Sequence, residues 1–464
     1  MSKLWQLGAV ELAQGFRQGL WSPVAALESV LERVAEVNSQ INALIALAPD
    51  AHAAALASQA RYVAGCPLSE LDGIPMTIKD NLLMAGVPAT WGCPALADNF
   101  AADELPVARL RAMGAVLVGK TNVPEFTLEG YTGNALFGTT RNPWDIQLTP
   151  GGSSGGAVAA VAAGIAPLAL CTDGGGSIRR PCAHTGLVGL KPSIGAIARG
   201  AGFPGLLLDF EVVGPVGRSV ADVQLMFSLL SGADTRDRRS LARVQARRQL
   251  QRVLYVQTLD GAPVDPQVRC ATAEAAGLLE QLGCTVVTAE LPIDLSALNR
   301  TWPEIGQIGL AHLFATYPQW RTGASAKYQQ LADAGERLPA SRLWAIIERV
   351  EALRVAVDRM FADYDALLMP TAAALPWPAE QAYPETIDGQ PVGPRGHAIF
   401  TGWVNAAGVP AISLPIAESR EGLPIGIQLV APMGADSDLL ALAARIEQAR
   451  PWHSRFNKLW QAGS

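Results

Sequence analysis

Charge is scarce in this chain. Asp, Glu, Lys and Arg make up 17% of its 464 residues, against roughly a quarter in ordinary globular domains, which excludes a disordered or strongly self-repelling chain. The charge that is present does not favour phosphate: 36 Lys and Arg stand against 42 Asp and Glu, a net charge of -6, so nucleic acid is not an expected partner. Long apolar runs are missing too. The most apolar stretch, Ala157 to Cys171, is broken by Gly164 and Pro167 and is shorter than the roughly 18 residues a membrane helix needs, so no membrane partner is expected. Six cysteines (Cys66, Cys93, Cys171, Cys182, Cys270, Cys284) are scattered without C-x-x-C spacing, and the opening MSKLWQLGAVELAQG has no signal-peptide apolar block. A reducing, cytoplasmic setting is the expectation.

What the chain has in quantity is apolar surface and glycine. Hydrophobic residues reach 49%, and there are 45 glycines and 32 prolines with no collagen period and no low-complexity tract. A chain of this length holds two or three average domains or one large α/β domain with insertions. The glycine excess means that many positions need backbone geometry other residues reach only with strain.

Periodicity organises the chain into segments. Ala9, Leu12 and Phe16 lie at helical spacing, and a second helix carries Ala26, Leu27, Val30, Leu31, Val34 and Val37 behind the N-cap and first-turn pair Ser22-Pro23. Helices then alternate with short apolar runs: Val107 to Met113 leads to Ala115 to Val118, and Gly155 to Ala163 leads to Ala166 to Leu170. This alternation predicts an α/β sheet with helices on its faces. From Ala233 to Asp363 the texture changes. A basic run, Arg236 to Arg252, reads as a solvated face because Asp237, Leu241 and Leu250 interrupt it. A strand (Val253 to Val256), a helix (Gln267 to Leu282), a strand (Thr285 to Val287) and a long helix (Ala340 to Phe361) follow. Further strands are expected at Ala366 to Met369, Ala411 to Pro415 and Ile425 to Val430. The division expected is therefore 1–59 N-terminal helices, 60–232 core, 233–363 insertion or cap, and 364–464 completing the sheet, all within one domain.

The densest unusual feature is TPGGSSGG (149 to 156), followed by an Ala/Val helix and then by TDGGGSIRRP (172 to 181). Three successive glycines before Ser177 let backbone N–H groups converge on one point, the arrangement an oxyanion needs, with a hydroxyl beside it. Either loop taken alone also fits a helix N-cap and tight turn. Neither fits the phosphate-binding loops G-x-x-x-x-G-K-[ST] or G-x-G-x-x-G. The run from Gly151 to Gly155 does match the G-x-S-x-G nucleophile elbow of serine-histidine hydrolases, but Pro150, Gln147 and Thr149 stand where a buried strand should lead in, and none of the five histidines has a telling local context. A lysine offers another base: Lys79 ends the apolar stretch LDGIPMTIK, where burial would disfavour its charged form. The competing reading pairs Lys79 with Asp72 or Asp80.

Taken together, LDGIPMTIKDN (71 to 81), GTTRNPWD (138 to 145), PGGSSGGAVAAVAAG (150 to 164), PLALCTDGGGSIRRPCAHTGLVGLKPS (167 to 193), GVPAISLP (408 to 415) and GLPIGIQLVAP (422 to 432) closely resemble the amidase signature family of serine amidohydrolases. The resemblance covers most of residues 60 to 230 and the last hundred. It implies a single large α/β domain: a central mixed, twisted sheet with helices on both faces and the N-terminal helical segment packed on it. It also implies a Ser-Ser-Lys triad of Lys79, Ser153 as bridging serine after a cis Gly152–Ser153 bond, and Ser177 as nucleophile. Backbone N–H groups of Gly174, Gly175, Gly176 and Ser177 would hold the oxyanion, and no metal or organic cofactor is implied. Gly174, Cys171 and His184-Thr185 depart from residues common in the family, which marks a divergent branch without touching the triad; His184 is expected to pack the nucleophile loop.

Arg179 matches a common family arginine and is expected to be structural. Arg180, one turn from Ser177, is expected either to bind a substrate carboxylate, which would make the substrate a small amide bearing an acidic group, or to pair with Asp173. The family also includes the amidase component of glutamine-dependent tRNA amidotransferases; Ala398 aligns where those glutamine-specific proteins carry Asp. A small-molecule amide is thus the expected partner, and a homodimer is compatible with the sequence.

Overall fold

The computed structural model describes residues 3–241 and 249–462. Residues 242–248 of the basic run from Arg236 to Arg252 lie outside the described residues. Eleven strands form one sheet: β1 (Leu44–Leu47), β2 (Pro75–Lys79), β3 (Val116–Thr121), β4 (Leu168–Asp173), β5 (Val188–Lys191), β6 (Val212–Gly217), β7 (Arg252–Tyr255), β8 (Thr285–Thr288), β9 (Ala366–Pro370), β10 (Ala411–Glu418) and β11 (Pro424–Val430). Their spatial order is β1-β3-β2-β4-β6-β5-β10-β11-β9-β7-β8. The sheet is mixed. β3, β2 and β4 run parallel to one another, as do β9, β7 and β8, while the pairings between these groups are antiparallel.

Burial explains which runs became central strands. Every residue of PMTIK, VLVGKT and LALCTD is buried, the near-continuous apolar reading of strands covered on both faces. The helix Gly155–Ala163, GGAVAAVAA, is buried along its whole length, which small side chains permit because they let a helix sit inside the core rather than on it. The N-terminal helices form as their spacing predicts. Ala9–Arg17 buries Ala9, Leu12 and Phe16, and in Pro23–Ile41 the Ser22 hydroxyl accepts from the Ala25 N–H at 3.1 Å. The same N-terminal segment also contributes β1, an edge strand antiparallel to β3 that helical periodicity did not reveal.

The segment 233–363 is only partly a cap. Its strands β7 and β8 extend the main sheet by parallel pairing next to β9, and the C-terminal strands β9, β10 and β11 fill the middle of the sheet rather than its edge. Its helix Pro266–Gln281 packs on β8, β9, β10 and β11, and the cap-like part consists of the helices Ser296–Thr316, Ala326–Glu336 and Ala340–Asp363. The first two close over a separate apolar cluster in which Leu313, Phe314 and Tyr328 pack with Trp91 and Phe126. Among the described residues no helix is long and apolar enough to cross a membrane, and all six cysteines are free thiols.

Candidate active site

β2 and β4 lie side by side and parallel, so their carboxyl ends open onto the same edge, the position at which parallel strands commonly present ligands. Lys79 is the last residue of β2 and is fully buried. Its Nζ donates to Ser153 Oγ at 2.9 Å, to Thr172 Oγ1 at 3.0 Å and to the Thr172 carbonyl at 3.1 Å. Neither neighbouring acid takes the lysine: Asp72 is held by Arg61 at 2.6 Å, and Asp80 pairs with Lys120 at 3.6 Å and accepts from Thr90. Removal from water lowers the Lys79 pKa from 10.5 to about 8, against a weaker upward pull from Cys171, Glu211 and Asp173.

Ser153 sits in the turn before the buried helix Gly155–Ala163, and the Gly152–Ser153 peptide is cis. Gly152 is needed for close approach, since a Cβ there would fall 2.2 Å from the Tyr131 carbonyl oxygen. Thr132 Oγ1 secures the turn by donating to the Gly151 carbonyl and accepting from the Gly155 N–H. The next residue ties the two glycine-serine loops together, because the Ser154 N–H donates to the Ser177 carbonyl at 3.3 Å.

The second loop is wrapped around Asp173, the last residue of β4. Its carboxylate accepts from the Gly176 N–H at 2.6 Å, the Ile178 N–H at 3.1 Å, Asn405 Nδ2 at 2.9 Å, and Arg179 Nε and Nη2 at 3.0 Å each. Burial alone would raise the carboxyl's pKa, yet the Arg179 guanidinium and these donors hold it far below the usual carboxylate range. One expectation changes here. The Gly176 N–H is already engaged by Asp173, which leaves the amides of Gly174, Gly175 and Ser177 as donors without a partner among the described residues. Gly176 instead supplies shape: its φ is +112°, and a Cβ would lie 2.2 Å from Thr401 Oγ1.

The structure therefore brings Lys79 and Ser153 into direct contact and places Ser177 against the same turn through its backbone. Ser177 is 7% exposed, and its hydroxyl makes no hydrogen bond to a described residue, Ser153 included. No histidine bonds to either serine among the described residues. His184 is buried with Nε2 at 3.2 Å from the Ala374 carbonyl oxygen, and burial lowers its pKa to about 4; His52, His312 and His453 are exposed.

Of the two arginines after Ser177, Arg179 is the one that pairs with Asp173, and it also donates to Gln428, Asn405 and the Thr401 carbonyl. The pairing of Arg180 with Asp173 does not occur. Arg180 donates through Nη1 to the Gly175 carbonyl and to Thr401 Oγ1, at 3.0 Å for the latter, while its buried Nε has no partner. Sequence reasoning missed three neighbours: Trp302, Arg395 and Thr401. They lie more than a hundred residues from Ser177 in local sequence that carries no motif, and only the sheet order and the covering helices bring them there.

Comparison with known proteins bears on this arrangement. The family model described as Amidase matches residues 25–440, and the chain belongs to that family, the amidase signature enzymes. It is an amide-hydrolysing enzyme. The chain is 34% identical to a glutamyl-tRNA(Gln) amidotransferase subunit from Symbiobacterium thermophilum, over 98% of this chain and 99% of the relative. It is equally 34% identical to an acylamidase of Rhodococcus erythropolis, over 96% of each. A bacterial aryl acylamidase of the same family superimposes with a TM-score of 0.90 at 27% identity, covering 99% of both chains.

Proposed function

We propose that this amidohydrolase cleaves the C–N bond of a small-molecule carboxamide through Lys79, Ser153 and Ser177. The observation that carries the reading is the buried Lys79 Nζ at 2.9 Å from Ser153 Oγ with no carboxylate of the described residues paired to it. Neutral Lys79 takes the Ser153 proton as Ser153 takes that of Ser177, and the Ser177 oxygen attacks the amide carbon. The developing oxyanion is met by the amides of Gly174, Gly175 and Ser177. The proton returns along the same path to the departing nitrogen, ammonia or an amine leaves, and water then releases the acyl group from Ser177. A fluorophosphonate probe tests the nucleophile: labelling is expected at Ser177 in the native protein and lost in Ser177→Ala, and retained labelling in that variant would remove Ser177 from the role.

A second reading, the ammonia-releasing component of a glutamine-dependent tRNA amidotransferase, draws support from the identity to the Symbiobacterium thermophilum protein. Against it stands Ala398, buried on the turn between Arg395 and Thr401, where the glutamine-specific pattern calls for Asp. Co-purification of a second polypeptide on which glutamine hydrolysis depends would favour this reading over the first.

A further inference from the structure

Positive charge is unmatched beside the Ser177 loop. Asp173 is occupied by Arg179, and Glu211, near Gly174, is occupied by Arg199. Two further guanidinium groups remain with no carboxylate among the described residues. Arg180 is 6% exposed, and among the described residues its guanidinium bonds only to the Gly175 carbonyl and Thr401 Oγ1, leaving Nε without a partner. Arg395 is half-buried and its guanidinium makes no hydrogen bond or ion pair to any described residue; its guanidinium carbon lies 4.6 Å from the centre of the Trp302 ring. The two cations are close enough for Arg180 to push down the Arg395 pKa, on top of its burial. Asp173 attracts Arg180 only from beyond ion-pair range, and Arg179, which holds that carboxylate, repels Arg180; His397, kept neutral by burial and by both arginines, supplies no counter-charge.

Trp302 joins this pair to the reacting centre. A Cβ on Gly175 would lie 3.0 Å from Trp302 Cζ2, and one on Gly402 would lie 3.0 Å from Arg395 Nη2 and 3.2 Å from Trp302 Cη2. The ring thus spans the distance between an unpartnered amide of the Ser177 loop and Arg395. Cations taken out of water without counter-ions are unfavourable unless an anion arrives to balance them, and a planar guanidinium matches a carboxylate through paired N–H donors.

We propose that Arg180 and Arg395, walled by Trp302, form a carboxylate-recognition site beside Ser177, and that the substrates are short amides carrying a free carboxylate a few atoms from the scissile carbonyl. This rests on the reading of Ser177 as the nucleophile for its placement, and on the unmatched guanidinium groups for its chemistry. Arg395 is the specificity residue to change, because Arg180 also supports the loop through Gly175.

Two measurements test it. The first is turnover of oxamic, malonamic and succinamic acids against their methyl esters, in wild type, Arg395→Ala and Arg395→Lys. Wild type is expected to prefer the acids, and the acid-to-ester ratio of kcat/KM for the best acid is expected to fall about a hundredfold in Arg395→Ala, the scale of one charge-assisted pair, with Arg395→Lys between. An equal loss on acid and ester would overturn the proposal, as would a wild-type preference for the esters. The second is binding of the corresponding dicarboxylates, oxalate, malonate and succinate, to Ser177→Ala by thermal shift. One of them is expected to raise its Tm, and adding Arg395→Ala is expected to remove that shift; no shift from any of the three overturns the site. Because binding is read in a protein without the nucleophile, failure of the carboxylate site is separable from failure of the Ser177 assignment.

Discussion

Lys79 Nζ reaches Ser153 Oγ at 2.9 Å from a position fully removed from water, and among the described residues no carboxylate forms an ion pair with it. Desolvation favours the neutral amine, which is the form able to accept a proton, and the pKa falls to about 8. With Lys79 as the base, kcat/KM is expected to rise with pH and level off above an inflection near 8. Lys79→Ala is expected to lower kcat by about 10²- to 10⁴-fold, the usual contribution of a positioned base. A flat profile between about pH 6 and 9 in the wild type would assign the base elsewhere.

The environment of that lysine gives a finer prediction. Thr172 Oγ1 accepts from Lys79 at 3.0 Å and is itself oriented by Asn81 Nδ2 at 3.0 Å. An acceptor stabilises the ammonium more than the amine, so Thr172→Val removes a contact that favours the charged form while keeping the side chain's volume. The inflection in the pH-rate profile is expected to move down, by up to about one unit on the scale of a single hydrogen bond to a charged group. An upward movement would show that Thr172 Oγ1 stabilises the amine instead.

Much of this centre is legible in sequence because its parts are local. The Asp173-to-Arg180 loop follows directly from β4, so the glycines, Ser177 and the structural arginine appear as one motif. Lys79 is only partly readable, since a lysine closing an apolar run can be buried or can snorkel to an acid such as Asp72 or Asp80, and the fold decides between them. Other features are not local. Which of Arg179 and Arg180 meets Asp173 depends on side-chain direction at the start of the helix Arg179–Thr185. The Gly176 N–H is diverted to Asp173 by a turn geometry that a run of three glycines leaves open. The strands β7 and β8 are separated along the chain from β9 by the cap-like helices, and nothing in their own sequence says that they pair next to β9 rather than forming part of a cap.

Asp173 and Arg179 form an ion pair with no exposed surface on either side chain, joined by two N–H···O bonds of 3.0 Å. Removing one partner of such a pair leaves the other charge buried and uncompensated, which costs about 3–5 kcal/mol. Asp173→Ala is expected to lose that much stability in urea unfolding, and also to lose activity, because the same carboxylate holds the N–H groups of Gly176 and Ile178 on either side of Ser177. An Asp173→Ala protein with native stability would mean that Arg179 finds its counter-charge elsewhere.

Gly176 separates shape from stability. Its φ of +112° disfavours any side chain, and a Cβ would meet Thr401 Oγ1 at 2.2 Å and Arg180 Nη1 at 2.7 Å. Thr401 donates to the Gly175 carbonyl at 2.8 Å, so displacing Thr401 moves the backbone whose amides are proposed to meet the oxyanion. The strain is local to a turn, whereas the proposed alignment of Ser177 with oxyanion donors would tolerate little displacement. A shift of about 1 Å in a reacting geometry can lower the rate by about 10²-fold. Gly176→Ala is therefore expected to lower kcat by at least about that factor, with a smaller stability loss than that of Asp173→Ala. The comparison is made by measuring turnover and urea midpoint on both variants, and a Gly176→Ala enzyme with wild-type kcat would show that the loop relaxes around the methyl group without moving Ser177.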